Sequence, residues 1–490
     1  MEPNCVQFLE NKTILVIGAS GFLAKVFVER ILRLQPNVKR LYLLVRAVDK
    51  KSAEQRLHSE IFEKDLFRVL RNNVGDESLN ALILEKVVPI PGDISLNNMG
   101  VSDSNLLQDM RQEIDIVVNS AATTIFDERY DVALGINTYG ANNVLNFAKK
   151  CVKPQLLLHV STAYVCGEKS GLILEKHFAM GEALSGSNKI DINAEMRLVE
   201  QKLNQLIEKG CSDEETKQAM KDLGLRRAKL YGWPNTYAFT KAMGEMLIGH
   251  YRESMPIVII RPTIITSTFS DPFPGWIEGL KTVDSVIASY GKGMLKCFLL
   301  QHKTVCDIIP VDMVANAMIA AAAEHCGDSG SHIVYHVGTS YRNPVMYKYI
   351  YEILVRYFVE SPLLDRNGLP IVPNATMLST MATFRLYTSL RYKLPLQILR
   401  LLSMILPSRF GDKYEHHNRK FKRAMILVKL YKPYLLFKGI FDDRNLETLR
   451  VKNEAKEMHE LFSFNAKGID WEDYFMNTHI NGLIAHVLDK

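Results

Sequence analysis

The chain has 490 residues with a formal net charge of +6, and 47% of its residues are hydrophobic while 23% are charged. This length predicts two or three domains, and the composition allows a large buried core and argues against an intrinsically disordered chain. Seven scattered cysteines without a C-x-x-C pair argue against a disulfide framework or a zinc site and favour a reducing, cytosol-facing compartment. We therefore expect no bound metal.

The amino-terminal residues M-E-P-N-C-V-Q-F have neither the basic and apolar run of a signal peptide nor the Arg- and Ser-rich character of a plastid or other transit sequence. No apolar run in the sequence reaches the length of about 18 residues needed to span a bilayer. The charge is uneven, because residues 385–438 hold thirteen Lys and Arg against two acids, which leaves the rest of the chain net acidic. Such an asymmetry indicates an anionic partner or surface.

A glycine turn follows the first predicted strand, in the stretch T-I-L-V-I-G-A-S-G-F-L-A that begins at Thr13 and ends at Ala24. An amphipathic helix pattern over 22–34 comes directly after the turn. This is the layout of a dinucleotide-binding βα unit, in which the main chain approaches a pyrophosphate at the positive end of the helix. The spacing is G-x-x-G-x-x-A, with Ala24 as the third small residue. We assign five residues of the turn to cofactor binding: Gly18, Ser20, Gly21, Phe22 and Leu23.

The second predicted strand, 40–46, ends in an arginine. In a dinucleotide fold an acid at this point holds the ribose hydroxyls of NADH, whereas an arginine accommodates the 2′-phosphate of NADPH. Arg46, together with Lys50 or Lys51, therefore favours NADPH. The alternative is an arginine that is merely solvated at a strand end.

Three further strands are expected at 87–94, 115–122 and 155–162, separated by helical sequence. Asp93 at the end of the third strand is placed to reach an adenine amino group, and the small residues at the end of the fourth let a cofactor lie across the sheet edge. We therefore add Asp93, Ile94 and Ala121 to the cofactor site. Nearly continuous apolar strands that alternate with helices predict an α/β fold with a doubly wound parallel sheet, a Rossmann domain.

Residues 181–231 interrupt the alternation with two helix patterns, 194–209 and 212–223, which we interpret as a helical insertion with a structural role or as a lid. The Gly-, Pro- and aromatic-rich loop 263–276 is where a substrate mouth is expected. Around this loop the alternation of helix and strand continues, over 235–251, 256–262, 311–323 and 332–337.

The composition changes between Asp365 and Thr376, and this shift predicts two domains, a reductase domain over 1–370 and a basic, mainly α-helical domain over 371–490. Basic amphipathic helices are predicted at 396–406 and 423–431. Three uses of this charge stay open: a phosphate site for coenzyme A, peripheral association with an anionic membrane, or ordinary packing with a solvated basic face. Nucleic acid is not expected, because no recognition motif accompanies the charge.

The residues that indicate chemistry are Tyr237 and Lys241 in T-Y-A-F-T-K, which lie one helical turn apart on one face. A lysine ammonium beside a tyrosine stabilises the phenolate, so we expect Lys241 to lower the Tyr237 pKa and make the phenol a proton donor near neutral pH. The fifth strand ends in V-S-T-A-Y-V-C-G, which puts Ser161 and Thr162 at a carboxyl end of the sheet, where substrates bind. A hydroxyl there can share a developing oxyanion with Tyr237.

The glycine turn, the strand-five hydroxyls and the downstream Y-x-x-x-K, in this order, resemble the extended short-chain dehydrogenase/reductase superfamily. Within it, G-A-S-G-F-L-A-K, L-Y-L-L-V-R and V-S-T-A-Y-V resemble the plant branch of the alcohol-forming fatty acyl-CoA reductases. Y-K-L-P at 392–395 and the closing W-E-D-Y…H-I-N-G-L are similar to that family's C-terminal male-sterility domain. The resemblance covers nearly the whole chain.

The resemblance implies that Tyr237 is the proton donor, Lys241 its activator and ribose ligand, and Thr162 the catalytic hydroxyl, with Ser161 as the neighbour that could take this role. Either Asn119 or Asn137 is the family's supporting asparagine. The implied reaction is a reduction of long-chain or very-long-chain acyl-CoA to a primary alcohol by two NADPH through an aldehyde, as in wax and suberin synthesis.

The implied location is the cytosolic face of the endoplasmic reticulum, with the protein peripheral to the membrane. Two alternatives remain open. The first is another enzyme, either a thioester reductase that stops at the aldehyde or an extended-family epimerase or dehydrogenase acting on sugars or sterols. The second is a non-catalytic NADP-binding scaffold.

Overall fold

A parallel sheet organises the part of the chain that this computed structural model describes, residues 4–186, 189–301, 303–455 and 461–488. The strands, including short pairs outside the sheet, are β1 Thr13–Ile17, β2 Arg40–Val45, β3 Val87–Pro91, β4 Ile116–Asn119, β5 Leu156–Val160, β6 Gly171–Ile173, β7 Ile257–Pro262, β8 Ile264–Thr266, β9 Cys297–Leu299, β10 Ile308–Pro310, β11 His332–Val337, β12 Thr376–Leu378 and β13 Gly439–Phe441.

The α-helices are α1 Cys5–Leu9, α2 Phe22–Leu34, α3 Lys50–Leu57, α4 Arg68–Val74, α5 Asp76–Lys86, α6 Ser104–Glu113, α7 Tyr130–Ala133, α8 Gly140–Ala148, α9 Ile192–Glu208, α10 Asp213–Leu230, α11 Thr236–Tyr251, α12 Thr282–Gly291, α13 Val311–His325, α14 Tyr347–Glu360, α15 Met381–Thr388, α16 Leu394–Ile405, α17 Pro407–Leu435, α18 Arg444–Ala455, α19 Trp471–Asp473 and α20 Ile480–Leu483. Short 3-10 or π segments adjoin several of them, including π-helical turns at Leu134–Tyr139 and Ser389–Lys393.

The strand order in the sheet is β11-β7-β5-β4-β1-β2-β3, and each neighbouring pair is parallel. The order reverses between β1 and β4, and in open α/β sheets the crevice for ligands lies at such a switch point, outside the carboxyl ends of the strands. All seven strands predicted for this sheet are present. The doubly wound parallel fold is therefore confirmed.

The sheet is the centre of the core because its strands are apolar on both faces. Every residue of β1, β5 and β7 is buried. Such strands need helices on both sides of the sheet. Helix α13, which is rich in small residues, lies close against α2, and a buried hydrogen bond from Arg30 Nε to Asn316 Oδ1 of 2.8 Å joins the two helices.

By density of contacts the chain divides into two compact units. The first combines Met1–Gly279, Asp307–Asn343 and Ile440–Lys490, and the second combines Leu280–Cys306 and Pro344–Gly439. The first unit contains the seven-stranded sheet. The second contains the parallel pair β9–β12 and the helices α12 and α14 to α17. The domain boundary at 370/371 stays a prediction.

The insertion 181–231 contains α9 and α10, and it shares an apolar cluster with α11 through side chains such as Val199, Leu223 and Phe239. Glu195 of α9 is 1% exposed, yet its charge has partners: it accepts hydrogen bonds from Tyr130 Oη at 2.8 Å and Arg227 Nε at 2.9 Å. A buried carboxylate needs such partners. The insertion thus packs as part of the first unit around the helix that holds Tyr237.

The C-terminal helices are longer than the sequence pattern indicates. The predicted helix 396–406 corresponds to α16, but the prediction 423–431 covers only a part of α17, which runs from Pro407 to Leu435 and includes Pro433. The first half of α17 is charged around much of its circumference. Hydrophobic periodicity therefore gives no helix signal there, because a polar exposed helix has no apolar stripe.

Helix α11 crosses the π-helical turn 134–139 at Gly244, where a β-carbon would fall well inside contact distance of the Asn137 carbonyl oxygen. We expect Gly244→Ala to lower the free energy of unfolding by about 1–3 kcal/mol, because the helices must separate to admit the methyl group. Urea denaturation followed by circular dichroism measures this change.

The matched control is Gly135→Ala, since a β-carbon at Gly135 would meet its nearest neighbour, Ser95 Cβ, at an ordinary 3.7 Å. This variant is expected to stay within about 1 kcal/mol of the wild type. Equal unfolding midpoints for the two variants would contradict the assigned close crossing.

Candidate active site

The predicted phosphate-binding turn has a backbone that only glycine fits at its first position. Gly18 has a φ of +79°, and a β-carbon there would lie 2.7 Å from Ala121 Cα. The turn thus brings the ends of β1 and β4 together, as the assignment of Gly18 and Ala121 to one site requires. Gly21 precedes α2, and no side chain among the described residues caps the first turn of this helix. A helix N-terminus of this kind fits a pyrophosphate.

The other turn residues divide into an exposed and a buried set. Ser20 is partly exposed and Gly21 is exposed, whereas Leu23 is buried beneath the turn. The ring of Phe22 stacks on Trp276 with centroids 5.3 Å apart. Ala24, the irregular residue of the motif, is buried. Its methyl group is therefore accommodated inside the packing of α2.

Arg46 is exposed directly after β2, as the sequence predicts for a group that meets a 2′-phosphate. Arg56 Nη1 donates to the Arg46 carbonyl oxygen at 2.7 Å, so a second guanidinium lies at the backbone of Arg46. The sequence analysis missed Arg56, because it lies one helix further on and no motif includes it.

Asp93 and Ile94 follow β3. The Asp93 carboxylate accepts hydrogen bonds from Ser95 N at 2.8 Å and Ser95 Oγ at 2.7 Å. Ile94 is buried and lies against Gly140, where a β-carbon would be 2.8 Å from Ile94 Cδ1. Asp93 thus belongs to a turn that is held rigidly at the carboxyl end of the sheet, and its role toward adenine stays a prediction.

The structure brings the three predicted catalytic residues together. Thr162 follows β5, and its hydroxyl forms a hydrogen bond with the side chain of Tyr237 on α11. Lys241, one turn later on α11, is 1% exposed and its Nζ donates to the Val160 carbonyl oxygen at 2.7 Å. Tyr237 is partly exposed. Its ring stacks on the ring of Phe126, and the two ring centroids are 6.1 Å apart. Two hydroxyl groups and an ammonium group therefore converge at the carboxyl end of one central strand.

The expected lowering of the Tyr237 pKa is wrong for this structure. Burial raises the pKa of Tyr237 to about 12, and the hydrogen bond with Thr162 offsets only part of this effect. Desolvation disfavours the phenolate more than the neighbouring side chains stabilise it. The phenol is consequently protonated at neutral pH, which is the state that a proton donor requires.

Burial also lowers the pKa of Lys241 from 10.5 to about 8, and the charge of Glu245 partly counteracts this effect. Glu245 lies one further turn along α11 and pairs with buried Arg261 through Arg261 Nε and Glu245 Oε1 at 3.0 Å. Arg261 also lies 3.4 Å from His336 Nε2. The sequence analysis missed this pair, although the i, i+4 spacing from Lys241 to Glu245 was a usable signal.

The two candidate asparagines hold different segments. Asn119 Nδ2 lies 3.1 Å from His159 Nδ1, across the pair β4–β5. Asn137 accepts a hydrogen bond from Thr123 N at 3.0 Å and donates to Thr240 Oγ1 at 3.0 Å. Asn137 is therefore attached to α11 next to Lys241, whereas Asn119 is attached to β5. The choice between them as the supporting asparagine stays a prediction.

Ser161, the alternative to Thr162, is buried, and its Oγ has no hydrogen-bond partner among the residues that the structure describes. Successive side chains of an extended strand point to opposite faces, so Ser161 and Thr162 cannot both face Tyr237. The geometry favours Thr162 for the predicted role.

The loop expected to form a substrate mouth is partly filled by the C-terminal segment. Thr266 and Ser267 are fully buried, and Tyr474 Oη lies 2.8 Å from Thr266 Oγ1 and 3.1 Å from Ser267 Oγ. His479 Nδ1 lies 2.9 Å from Ser267 Oγ. The closing W-E-D-Y…H motif thus satisfies buried hydroxyls within the first unit, a role that the sequence does not reveal.

Comparisons with known proteins agree with this geometry. The NAD-binding model of the family described as male sterility protein matches residues 16–318, and a second model with the same description matches residues 391–490. Fatty acyl-CoA reductase 1 of Arabidopsis thaliana is 64% identical over 493 residues, which cover 100% of both chains. The alcohol-forming fatty acyl-CoA reductase of Simmondsia chinensis is 49% identical, with 99% of each chain covered.

Among solved structures, the terminal R domain of the myxalamid PKS-NRPS pathway matches with a TM-score of 0.55 and 16% identity, covering 97% of this chain and 91% of that one. A reductase (R) domain of a non-ribosomal peptide synthetase from Mycobacterium tuberculosis also has a TM-score of 0.55, with 18% identity and coverages of 99% and 94%. These similarities support the fold alone, whereas the sequence relatives and the family models establish the family. The chain belongs to the male sterility protein family, among the fatty acyl-CoA reductases.

Proposed function

We propose that this protein reduces long-chain or very-long-chain fatty acyl-CoA to a primary alcohol, with release of coenzyme A, through an aldehyde. The supporting observation is the hydrogen-bonded pair of Thr162 and Tyr237 at the carboxyl end of β5, with buried Lys241 one turn beyond. This arrangement of side chains occurs in a chain that is 49% identical to a reductase described as alcohol-forming.

The cofactor proposed is NADPH. The positive-φ turn at Gly18, the uncapped start of α2 and the exposed guanidinium of Arg46 fit the pyrophosphate and the 2′-phosphate respectively. The dinucleotide, when bound, supplies hydride to the carbonyl carbon of the substrate.

The side chains of this chain supply stabilisation and protons. When the thioester carbonyl is reduced, its oxygen gains negative charge, and the hydroxyls of Thr162 and Tyr237 donate hydrogen bonds to it. Collapse of this tetrahedral oxyanion breaks the C–S bond, and the electron pair leaves with the coenzyme A thiolate. In the second reduction the aldehyde oxygen occupies the same place and takes the Tyr237 proton to become the alcohol. Overall, one acyl-CoA, two NADPH and two protons give one alcohol, one free thiol and two NADP⁺.

Lys241 lies one helical turn after Tyr237, and its Nζ is anchored on the Val160 carbonyl. After Tyr237 has given up its proton, the phenolate is stabilised by this ammonium group. The nicotinamide ribose is proposed to lie at the same edge of the sheet as the Lys241 ammonium group. Lys241 therefore also serves to orient the cofactor.

The proposed reaction predicts that purified protein oxidises two NADPH for each coenzyme A released from a long-chain acyl-CoA. The ratio is measured from the absorbance of NADPH and from the coenzyme A thiol titrated with a thiol reagent. Gas chromatography identifies the product. One NADPH per thiol, with aldehyde as the product, would instead identify an aldehyde-forming reductase, and no oxidation would favour a scaffold. In the same assay we expect Tyr237→Phe to lower kcat/KM by about 10²–10⁴-fold.

The matched control is Tyr251→Phe, which removes a hydroxyl from the far end of the same helix, where Tyr251 is 42% exposed. Its kcat/KM should equal that of the wild type. NADPH affinity, measured by fluorescence, should be unchanged in Tyr237→Phe, because the phenol acts on the substrate oxygen. A fully active Tyr237→Phe would refute the assigned proton donor.

For the cofactor, we expect Arg46→Ala to lower the ratio of kcat/KM with NADPH to kcat/KM with NADH by about tenfold or more, because a charge-assisted contact with the 2′-phosphate is lost. Steady-state kinetics with both cofactors measure this ratio. Arg226→Ala, at another exposed arginine, serves as the control and should leave the ratio unchanged. An unchanged ratio in Arg46→Ala would mean that Arg46 is only solvated.

For Lys241, we expect Lys241→Met to fold but to lose activity. Because the Lys241 pKa of about 8 in the folded chain is below its ordinary 10.5, the unfolded chain binds this proton more tightly. The stability of the wild type should therefore rise relative to Lys241→Met with increasing pH, by about 2 kcal/mol from about pH 7 to about pH 9.5. Urea denaturation at both pH values tests this, and a constant difference would show that Lys241 titrates normally.

A further inference from the structure

One loop of the first unit, residues 267–278, contacts helix α2 from its first turn onward, and it is called the bridging loop here. The ring of Trp276 stacks on the ring of Phe22, the first residue of α2, with centroids 5.3 Å apart and planes inclined by 26°. One turn further along the helix, Lys25 Nζ lies 2.6 Å from Glu278 Oε2. The bridging loop therefore contacts the end of α2 that follows the glycine turn.

The same loop is joined to the other end of α2 by charge. Arg30 Nη1 lies 2.7 Å and Arg33 Nη2 lies 3.2 Å from Asp271 Oδ1. Arg30 is buried, and a buried cation needs such a partner. With Phe22 and Lys25, these two arginines lie on one side of the helix. The bridging loop thus follows α2 from its first residue to its last turn.

The bridging loop has a defined shape because hydrogen bonds close it. Thr268 N donates to the Trp276 carbonyl oxygen at 3.0 Å, and Trp276 N donates to Thr268 Oγ1 at 2.8 Å. The buried carboxylate of Asp312, in the first turn of α13, accepts hydrogen bonds from the backbone N–H groups of residues 269–271 at 2.8 to 3.0 Å. The position of Trp276 therefore depends on how the whole loop is held.

A late part of the chain, residues 474–482, holds the bridging loop at both ends of this closed turn, and it is called the closing segment here. At one end, Tyr474 Oη donates to the Ser267 carbonyl oxygen at 2.9 Å. At the other end, a β-carbon on Gly482 would overlap the carbonyl oxygen of Gly275. The two backbones are consequently in direct contact immediately before Trp276. Both segments belong to the first unit.

We propose that the bridging loop, held by the closing segment, positions the amino terminus of α2 for the pyrophosphate of the dinucleotide, with Trp276 as the positioning residue. A pyrophosphate at this place accepts hydrogen bonds from backbone N–H groups of the first helical turn, which contains Phe22. The strength of these bonds depends on holding the donors in one geometry before the ligand arrives. This inference rests on the dinucleotide site of the proposed function.

The first turn of α2 has a specific need for this contact. Helix ends fray, and a side-chain cap is the usual device that orders them. No side chain among the described residues caps α2, where the preceding residue is Gly21. The stack of Phe22 on Trp276, which is 3% exposed, is therefore the side-chain contact that orders this end. The closing segment acquires a role in cofactor binding, although it lies more than four hundred residues after the glycine turn.

The test measures the Kd of NADPH and of NADH by cofactor fluorescence, with full-length protein and without acyl-CoA. We expect Trp276→Leu to raise both Kd values by at least about tenfold, the equivalent of losing about one charge-assisted hydrogen bond to the pyrophosphate. Both values should rise by the same factor, because the two cofactors share this group, whereas Arg46→Ala is expected to change their ratio. The matched variant Trp276→Phe keeps an aromatic face and should stay within about threefold of the wild type.

The closing segment is tested by a pair of glycine variants. Gly482→Ala should also raise both Kd values by at least about tenfold, because its methyl group displaces the bridging loop. Gly468→Ala is the control, since a β-carbon at Gly468 has no other atom within 4 Å, and it should bind both cofactors as the wild type does. Tyr474→Phe removes one hydroxyl without adding volume, and we expect it to raise both values by about two- to tenfold. It replaces Gly482→Ala if circular dichroism shows that variant to be unfolded.

Kinetics with acyl-CoA separate positioning from loss of folded protein. In Trp276→Leu we expect the KM for NADPH to rise while kcat at saturating NADPH stays within about threefold of the wild type. A variant that only destabilised the fold would lower kcat and leave this KM unchanged. Unchanged Kd values in Trp276→Leu or in Tyr474→Phe, or a loss confined to NADPH, would overturn the inference and leave the proposed function standing. A wild type that binds neither cofactor would overturn both.

Discussion

The arrangement of the candidate active site depends on one hydrogen bond, from the Lys241 ammonium to the Val160 carbonyl. It fixes helix α11 against the carboxyl end of β5, at the point where the strand has just ended. Thr162 follows two residues after Val160, and Tyr237 precedes Lys241 by one helical turn, so this single attachment brings their hydroxyls within reach of each other. The carbonyl is available because Val160 is the last residue of β5.

This attachment has an energetic cost that the fold compensates elsewhere. A buried ammonium is unfavourable, as the lowered Lys241 pKa indicates, and a neutral side chain in its place would avoid this cost. The nearby Glu245–Arg261 pair supplies a negative charge one turn away but is itself neutralised by the guanidinium. Active sites commonly retain such unfavourable groups, because charge stabilisation during the reaction requires them.

Much of the fold could be predicted because its signals are local. Each of the seven sheet strands is an apolar run, and the glycine turn at Gly18 marks the first βα unit. The site residues Thr162 and Tyr237 could be predicted by motif order. The direction of the Tyr237 pKa could not, because burial is a property of the packed chain and its effect outweighs that of the hydrogen bond with Thr162. The role of Tyr474, which bonds to residues more than two hundred positions earlier, has no local signal either.

The first unit is discontinuous in sequence, since Ile440–Lys490 packs with residues from the amino-terminal half. Tyr474 and His479 complete the hydrogen bonding of Ser267, which is otherwise a buried hydroxyl. During synthesis on the ribosome, the strands of the sheet emerge long before this segment does. The unit therefore cannot reach its final packing while the chain is being made, and its folding must finish after translation has passed the second unit. Helices α12 and α14 to α17 can form before that segment is synthesised. The packing of the first unit is completed only when Ile440–Lys490 has been added.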